Sequence, residues 1–180
     1  KRFRYAALNC HKLPYEDESF DMVIANHVLF YCEDISAVCS EVRRVLRKPQ
    51  PSCPTGGVFL CSAYGADHMH EITDLVQEFD NRIMLAAQNL YENFGLENGE
   101  EILRRNFHHI TLFRYEDSIL LDTAEPLIEY ILSCHGNQNQ YLLNRYHDFR
   151  AFVERKMSRQ FHITKDAGVF VATIKNATPS

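Results

Sequence analysis

The sequence predicts an α/β fold built on parallel strands, and three features carry that expectation. Residues 21–25 and 58–63 are short, almost unbroken apolar runs, as expected of strands covered on both faces. Between them lies a stretch whose apolar residues return every three or four positions, the pattern of an amphipathic helix. Strand, helix and strand therefore follow one another within about 45 residues, as in a βαβ unit, whose crossover is right-handed in nearly all known cases.

Taken in order, Phe3, Tyr5 and the run Ala6-Ala7-Leu8 predict a short opening strand that ends at the polar stretch Asn9-Cys10-His11-Lys12. Leu13-Pro14-Tyr15 turns the chain, because Pro14 fixes its own φ and disfavours helix at Leu13. An acidic loop over 16–19 leads into the apolar run 20–31, whose first part is the second strand. Asp34 is placed to cap the following helix, which presents Ile35, Val38, Cys39, Val42, Val45 and Leu46 on one face. The segment 48–57, KPQPSCPTGG, reads as a loop on its prolines and glycines, and residues 58–63 form the next strand.

A long helical stripe is expected over 68–94, followed by a short helix over 100–107 and a strand over 108–115. A helix over 124–134 accepts Pro126 in its first turn, HGNQNQ is a polar loop, and another amphipathic helix spans 146–158. The stretch 161–175 reads as two strands joined at Asp166-Ala167-Gly168, with Gly168 supplying the positive φ of a hairpin turn. The expected organisation is a cofactor-side core over 1–65 and a region of helices and closing strands over 66–180, with 124–158 as a lid.

Composition narrows the function classes. The 180 residues are 46% hydrophobic, enough for a single domain to bury roughly 70% of its unfolded surface. Net charge is −5 with Lys and Arg scattered, so there is no basic stripe for a nucleic acid. Apolar runs fall short of the roughly 18 residues of a membrane span, and the first residues lack the apolar core of a signal peptide, so a cytoplasmic protein is expected. Six cysteines occur without a CxxC pair, mostly inside apolar stretches, and read as reduced, structural thiols. The histidine pairs His68/His70 and His108/His109 lack the companion ligands of a defined metal site, and no metal is expected.

In open α/β sheets ligands bind beyond the carboxyl ends of the parallel strands, here 9–12, 26–31 and 62–68. Around those positions the sequence becomes distinctive. ALNCHKLPYEDESFDMVIANHVLFYCEDISAVCSEVRRVL followed by GGVFLCSAYG resembles the middle of class I S-adenosylmethionine-dependent methyltransferases that act on small molecules. The order of Leu-Pro-aromatic, an acidic loop, Ser-Phe-Asp, a helix ending Arg-Val-Leu and Gly-Gly before a strand carries the resemblance, from about residue 5 to residue 65. It implies a three-layer, Rossmann-like sheet, mostly parallel with an antiparallel C-terminal strand, and S-adenosyl-L-methionine as cofactor.

Residue by residue, the resemblance puts Asn9 where the family usually has an Asp facing the adenine amino group, and Cys10 where a backbone amide meets the adenine ring. Asn is a departure, since its amide oxygen accepts a bond without charge assistance; a turn role at a strand end is its plainer reading. Ala25, Asn26 and His27 match the strand exit that lines the methionine end of the cofactor. His27 is the candidate general base, with a buried histidine donating to a backbone carbonyl as the plainer reading. Tyr31, Tyr64 and His68 are candidates for the acceptor pocket, although such aromatic residues more often belong to a core.

In the family the site opens with a strand, a glycine-rich loop, a helix and an acidic residue that holds the ribose. Nothing before Phe3 can supply these, and Gly56-Gly57 precedes a strand instead of following one. The sequence is therefore expected to be the C-terminal part of such a domain, with its N-terminal strands missing and weak cofactor binding by itself. The strand 21–25 would then expose an edge that recruits a partner, including a second copy, unless the first strand moves into the gap or a longer parent fills it. A small-molecule methyl acceptor is the expected substrate, and a non-catalytic scaffold of the same ancestry is the competing reading.

Overall fold

The computed structural model describes residues 3–86, 90–157 and 159–174. Four strands form one sheet: β1 (Met22–Asn26), β2 (Val58–Tyr64), β3 (His109–Leu121) and β4 (Phe161–Thr173), in the order β1-β2-β4-β3. β1 and β2 are parallel, with Met22 opposite Val58 and Asn26 opposite Ser62. β4 runs antiparallel to β2, from Val58 opposite Thr173 to Tyr64 opposite Ala167, and is the expected antiparallel C-terminal strand. The α/β fold read from the sequence is the one observed.

Seven helices accompany the sheet among the described residues: α1 (Ile35–Val45), α2 (His70–Phe79), α3 (Leu90–Asn93), α4 (Gly99–Arg104), α5 (Glu125–Ser133), α6 (Gln138–Leu142) and α7 (Tyr146–Lys156). A 3-10 turn, Leu29–Tyr31, lies between β1 and α1. α1 begins as its sequence requires, with the Asp34 carboxylate accepting the Ala37 N–H at 2.9 Å. Its apolar residues Val38, Cys39, Val42 and Val45 are all buried.

The chain divides into two compact units. The first comprises Lys1–Gly65, Leu90–Arg114 and Ala167–Ser180; its core gathers Leu29 and Phe30, the α1 face, Phe59 and Cys61 of β2, Phe94, Phe107 and Phe170. The second comprises Ala66–Asn89 and Tyr115–Asp166, with a core of Ile72, Leu75 and Val76 of α2, Ile83, Leu127, Ile128 and Ile131 of α5, and Phe149 and Val153 of α7. The first 65 residues fall in one unit, which later segments complete. Each of β3 and β4 contributes residues to both units.

Four local expectations are corrected. Residues 3–8 form no strand and are exposed, because among the described residues no strand edge pairs with them, and an extended segment without a partner leaves its backbone to water. β1 is not covered on both faces: it is the edge of the described sheet, with Met22 49% and Ile24 64% exposed.

The helix expected over 68–94 stops at Phe79. There Asp80 turns to extended backbone, and its carboxylate takes the Arg82 amide at 3.2 Å and the Arg82 guanidinium at 2.6 Å. Positions 87–89 of that stretch lie outside the described residues. Finally, 161–173 is one continuous strand, with no hairpin. Gly168 is there for close packing, since a Cβ on it would stand 3.0 Å from Leu112 Cδ1, Leu96 Cδ2 and Phe113 O. Position 175, at the end of the expected second strand, and 158, the end of the expected last helix, lie outside the described residues.

Candidate functional site

Because β1 and β2 run parallel, their carboxyl ends open on the same side of the sheet. At the end of β1 the backbone turns abruptly, with His27 at φ 50, in the left-handed region a non-glycine residue enters at a cost. Ser62, opposite Asn26 on β2 and only 6% exposed, holds that turn. Its hydroxyl donates to Asn26 Oδ1 at 2.7 Å and accepts the His27 N–H at 2.9 Å. One side chain thus fixes both residues of the strand exit, and its own polar atom is satisfied inside the sheet.

The His27 ring lies flat on Tyr64, at the end of β2, with centroids 4.4 Å apart and planes 18° from parallel. Phe30 completes the group, 5.7 Å from Tyr64 and 6.4 Å from His27, and Tyr31 meets Phe30 edge-on at 4.7 Å. Burial, and to a lesser extent nearby Tyr31, push the Tyr64 phenol above its ordinary value, so it remains a protonated donor at neutral pH. The arrangement offers a flat aromatic surface beside a fixed backbone corner, a form of site that orients a planar or cationic ligand.

Asn9 and Cys10 meet the segment after β1 through the Cys10 side chain. Asn9 is exposed, and its Oδ1 accepts the His11 N–H at 2.9 Å, an Asx turn. This is the turn role open to it from the sequence. Cys10 is half-buried against the first core, with its Sγ 3.8 Å from the Sγ of Cys32, which caps the 3-10 turn following His27. The segment 9–10 and the β1 exit are therefore neighbours through Cys10 and Cys32.

Of the residues read from the sequence, Asn9, Cys10, Ala25, Asn26, His27, Tyr31 and Tyr64 all lie in the first unit. His27 and Tyr64 are in direct ring contact, whereas Tyr31 is 68% exposed. His68 belongs to the second unit, where its Nδ1 accepts the Asp166 N–H at 3.1 Å. Ser62, Phe30 and Cys32 were not singled out as site residues. Ser62 carried a usable signal, a hydroxyl within the otherwise apolar strand 58–64, where a buried polar group needs a partner. Among the described residues no group of three or more His, Cys, Asp or Glu side chains could hold a metal ion, and no helix is long and apolar enough to cross a membrane.

Comparison with known proteins gives the same direction. Residues 1–49 match a family model described as a methyltransferase domain. A malonyl-[acyl-carrier protein] O-methyltransferase of Nitrosospira multiformis is 31% identical over 80 residues, which are 44% of this chain and 24% of that protein. The corresponding protein of Halorhodospira halophila is 32% identical over 72 residues, 40% of this chain and 22% of the relative. The chain thus matches about a quarter of the length of these curated relatives.

Among solved structures, a protein assigned as a type II methyltransferase from Anaeromyxobacter dehalogenans superposes with a TM-score of 0.58 at 14% identity, over 97% of this chain and 73% of that one. A methyltransferase assignment from Bacillus halodurans superposes at 0.56 and 14% identity, over 96% and 78%. These likenesses establish the fold. The family match over 1–49 bears out the resemblance to class I S-adenosylmethionine-dependent methyltransferases.

Proposed function

We propose that this chain is part of an S-adenosylmethionine-dependent methyltransferase acting on a small-molecule acceptor, with the exit of β1 as the floor of its cofactor site. The observation that carries the proposal is the strand exit itself. Asn26 and His27 sit where the family resemblance puts the methionine end of the cofactor, and Ser62 holds them in a fixed, left-handed corner. The cofactor supplies a methyl group on a sulfonium, already an excellent leaving group, so the protein's task is alignment of nucleophile, methyl and sulfur.

The residues present fit that task at the methionine end. The backbone of Asn26 and His27 would position it, and the ring of His27, stacked on Tyr64, is restrained to one face of the corner. His27 is the candidate to take a proton from the acceptor where one must leave. Tyr31, with its exposed ring, remains a candidate for acceptor contacts. At the adenine end the fit is poorer. Asn9 is neutral, and its Oδ1 already accepts the His11 N–H at 2.9 Å with His11 Nδ1 only 3.1 Å away, so an adenine amino group would have to compete for it.

That same observation favours a second reading, a non-catalytic scaffold derived from such an enzyme. The two are separated by calorimetric titration of the chain and of Asn9→Asp with S-adenosylhomocysteine. The methyltransferase reading predicts weak but saturable binding that Asn9→Asp tightens by up to about tenfold, through a charge-assisted bond. No heat of binding from either protein at millimolar ligand would favour the scaffold.

A further inference from the structure

We propose that Cys10 and Cys32 are a dithiol pair that low-molecular-weight disulfides oxidise to an intrachain disulfide, a covalent modification site independent of the methyl-transfer reading. The two sulfurs are 3.8 Å apart in the reduced protein, and a disulfide needs about 2.0 Å, so they have to approach by roughly 1.8 Å. The surroundings permit that movement. Cys10 lies in the turn that the Lys12 N–H closes onto Asn9 O at 3.1 Å, and Cys32 is the extended residue that ends the 3-10 turn. Neither is held inside a regular helix or strand, and both are half-buried, open enough for a small reagent to reach.

The remaining cysteines of the first unit differ. Cys39 and Cys61 are 0% and 1% exposed, and burial pushes the Cys39 thiol up to about 12 and the Cys61 thiol still higher, so both stay protonated and out of reach. Cys53 is exposed on the loop before β2, where its thiol donates to Gly56 O at 3.3 Å. Such a site captures a mixed disulfide but has no adjacent resolving sulfur in view.

The exchange is balanced without any further reagent. The Cys10 thiolate attacks one sulfur of the reagent disulfide, forming a mixed disulfide and releasing one thiolate. The Cys32 thiolate then attacks Cys10 Sγ, the bond from Cys10 to the reagent breaks, and the second thiolate leaves. The two protons lost by the cysteines end on the two released thiols; the protein is oxidised by two electrons and the reagent reduced by two. Burial pushes the Cys32 thiol up to about 11, with nearby Cys10 adding to the shift, so the closing step should quicken as pH rises. The bond closes a loop over residues 10–32 that contains the whole of β1 and His27.

The test equilibrates the folded chain with oxidised glutathione, quenches it in acid, alkylates the remaining thiols and maps the peptides by mass spectrometry. The expected result is a Cys10–Cys32 linked peptide that dithiothreitol removes, with Cys39 and Cys61 alkylated only after unfolding. Cys32→Ala and Cys10→Ser, each checked for native circular dichroism, should trap the remaining partner as the glutathione adduct. Should Cys10 and Cys32 of the wild-type chain stay separately alkylatable, or link only once the chain is unfolded in urea, the proposal is overturned.

Discussion

Glu41 shows how much one side chain can organise. Its carboxylate accepts the Leu13 N–H at 2.9 Å and, at 2.8 and 2.9 Å, two guanidinium nitrogens of Arg44, which in turn donates to Leu13 O, Tyr15 O and Asp17. The pair thus ties the loop before β1 to the exposed side of α1. Arg44 first, then the Leu13 amide, hold the Glu41 carboxyl down at about 2 against an ordinary 4.5. A depressed carboxylate contributes stability that is fully present above its unfolded value and is lost as pH falls through the folded one. The wild-type chain should therefore lose this contribution between about pH 4.5 and pH 2. Glu41→Gln should lower stability at neutral pH by about 1–2 kcal/mol and flatten the acid limb, both read from urea midpoints across pH. An unchanged acid limb would show that the pair is not what holds the loop. At this scale the sequence was only partly informative. Asp34 was legible as a cap because the capping side chain precedes an apolar stripe, whereas the role of Ser62 depends on a cross-strand neighbour 36 residues away.

The elements divide in the same way. α1 could be read in full, because its stripe and its cap are both local. The interruption after α2 could not, because it is fixed from a distance by the segment between α5 and α6. There Asn137 accepts the Met84 N–H on its side chain at 2.7 Å, donates from Nδ2 to Arg82 O at 2.9 Å, and gives its own N–H to Met84 O. Gly136 lets the two strands of chain close, since a Cβ there would stand 1.7 Å from Met84 O. Gly136→Ala should accordingly cost more than about 2 kcal/mol, against less than about 0.5 for an ordinary surface change, measured by chemical denaturation. A near-wild-type midpoint would mean that the clasp is not needed. Gly168 misled in the opposite sense: a glycine flanked by strand-forming residues reads as a turn, yet what it accommodates is Leu112 and Leu96 lying against an uninterrupted β4.

At the scale of the whole molecule, the order β1-β2-β4-β3 leaves β1 with one unpaired side among the described residues, carrying exposed Met22 and Ile24, and Phe3 and Tyr5 are exposed as well. An apolar, unpaired edge invites another strand. The chain should self-associate with rising concentration in sedimentation velocity, and Ile24→Lys should abolish the association without lowering the thermal midpoint; a wild-type chain that stays monomeric throughout would remove the edge from consideration. The same edge ends in the corner at His27, so the proposed role of that corner as the cofactor floor is tested by following the amide resonances of the isotope-labelled chain during titration with S-adenosylhomocysteine. That role predicts saturable shifts concentrated at Cys10, Asn26, His27 and Tyr64, even where affinity is weak. Saturable shifts confined to the second unit, around His68 and Asp166, would contradict it.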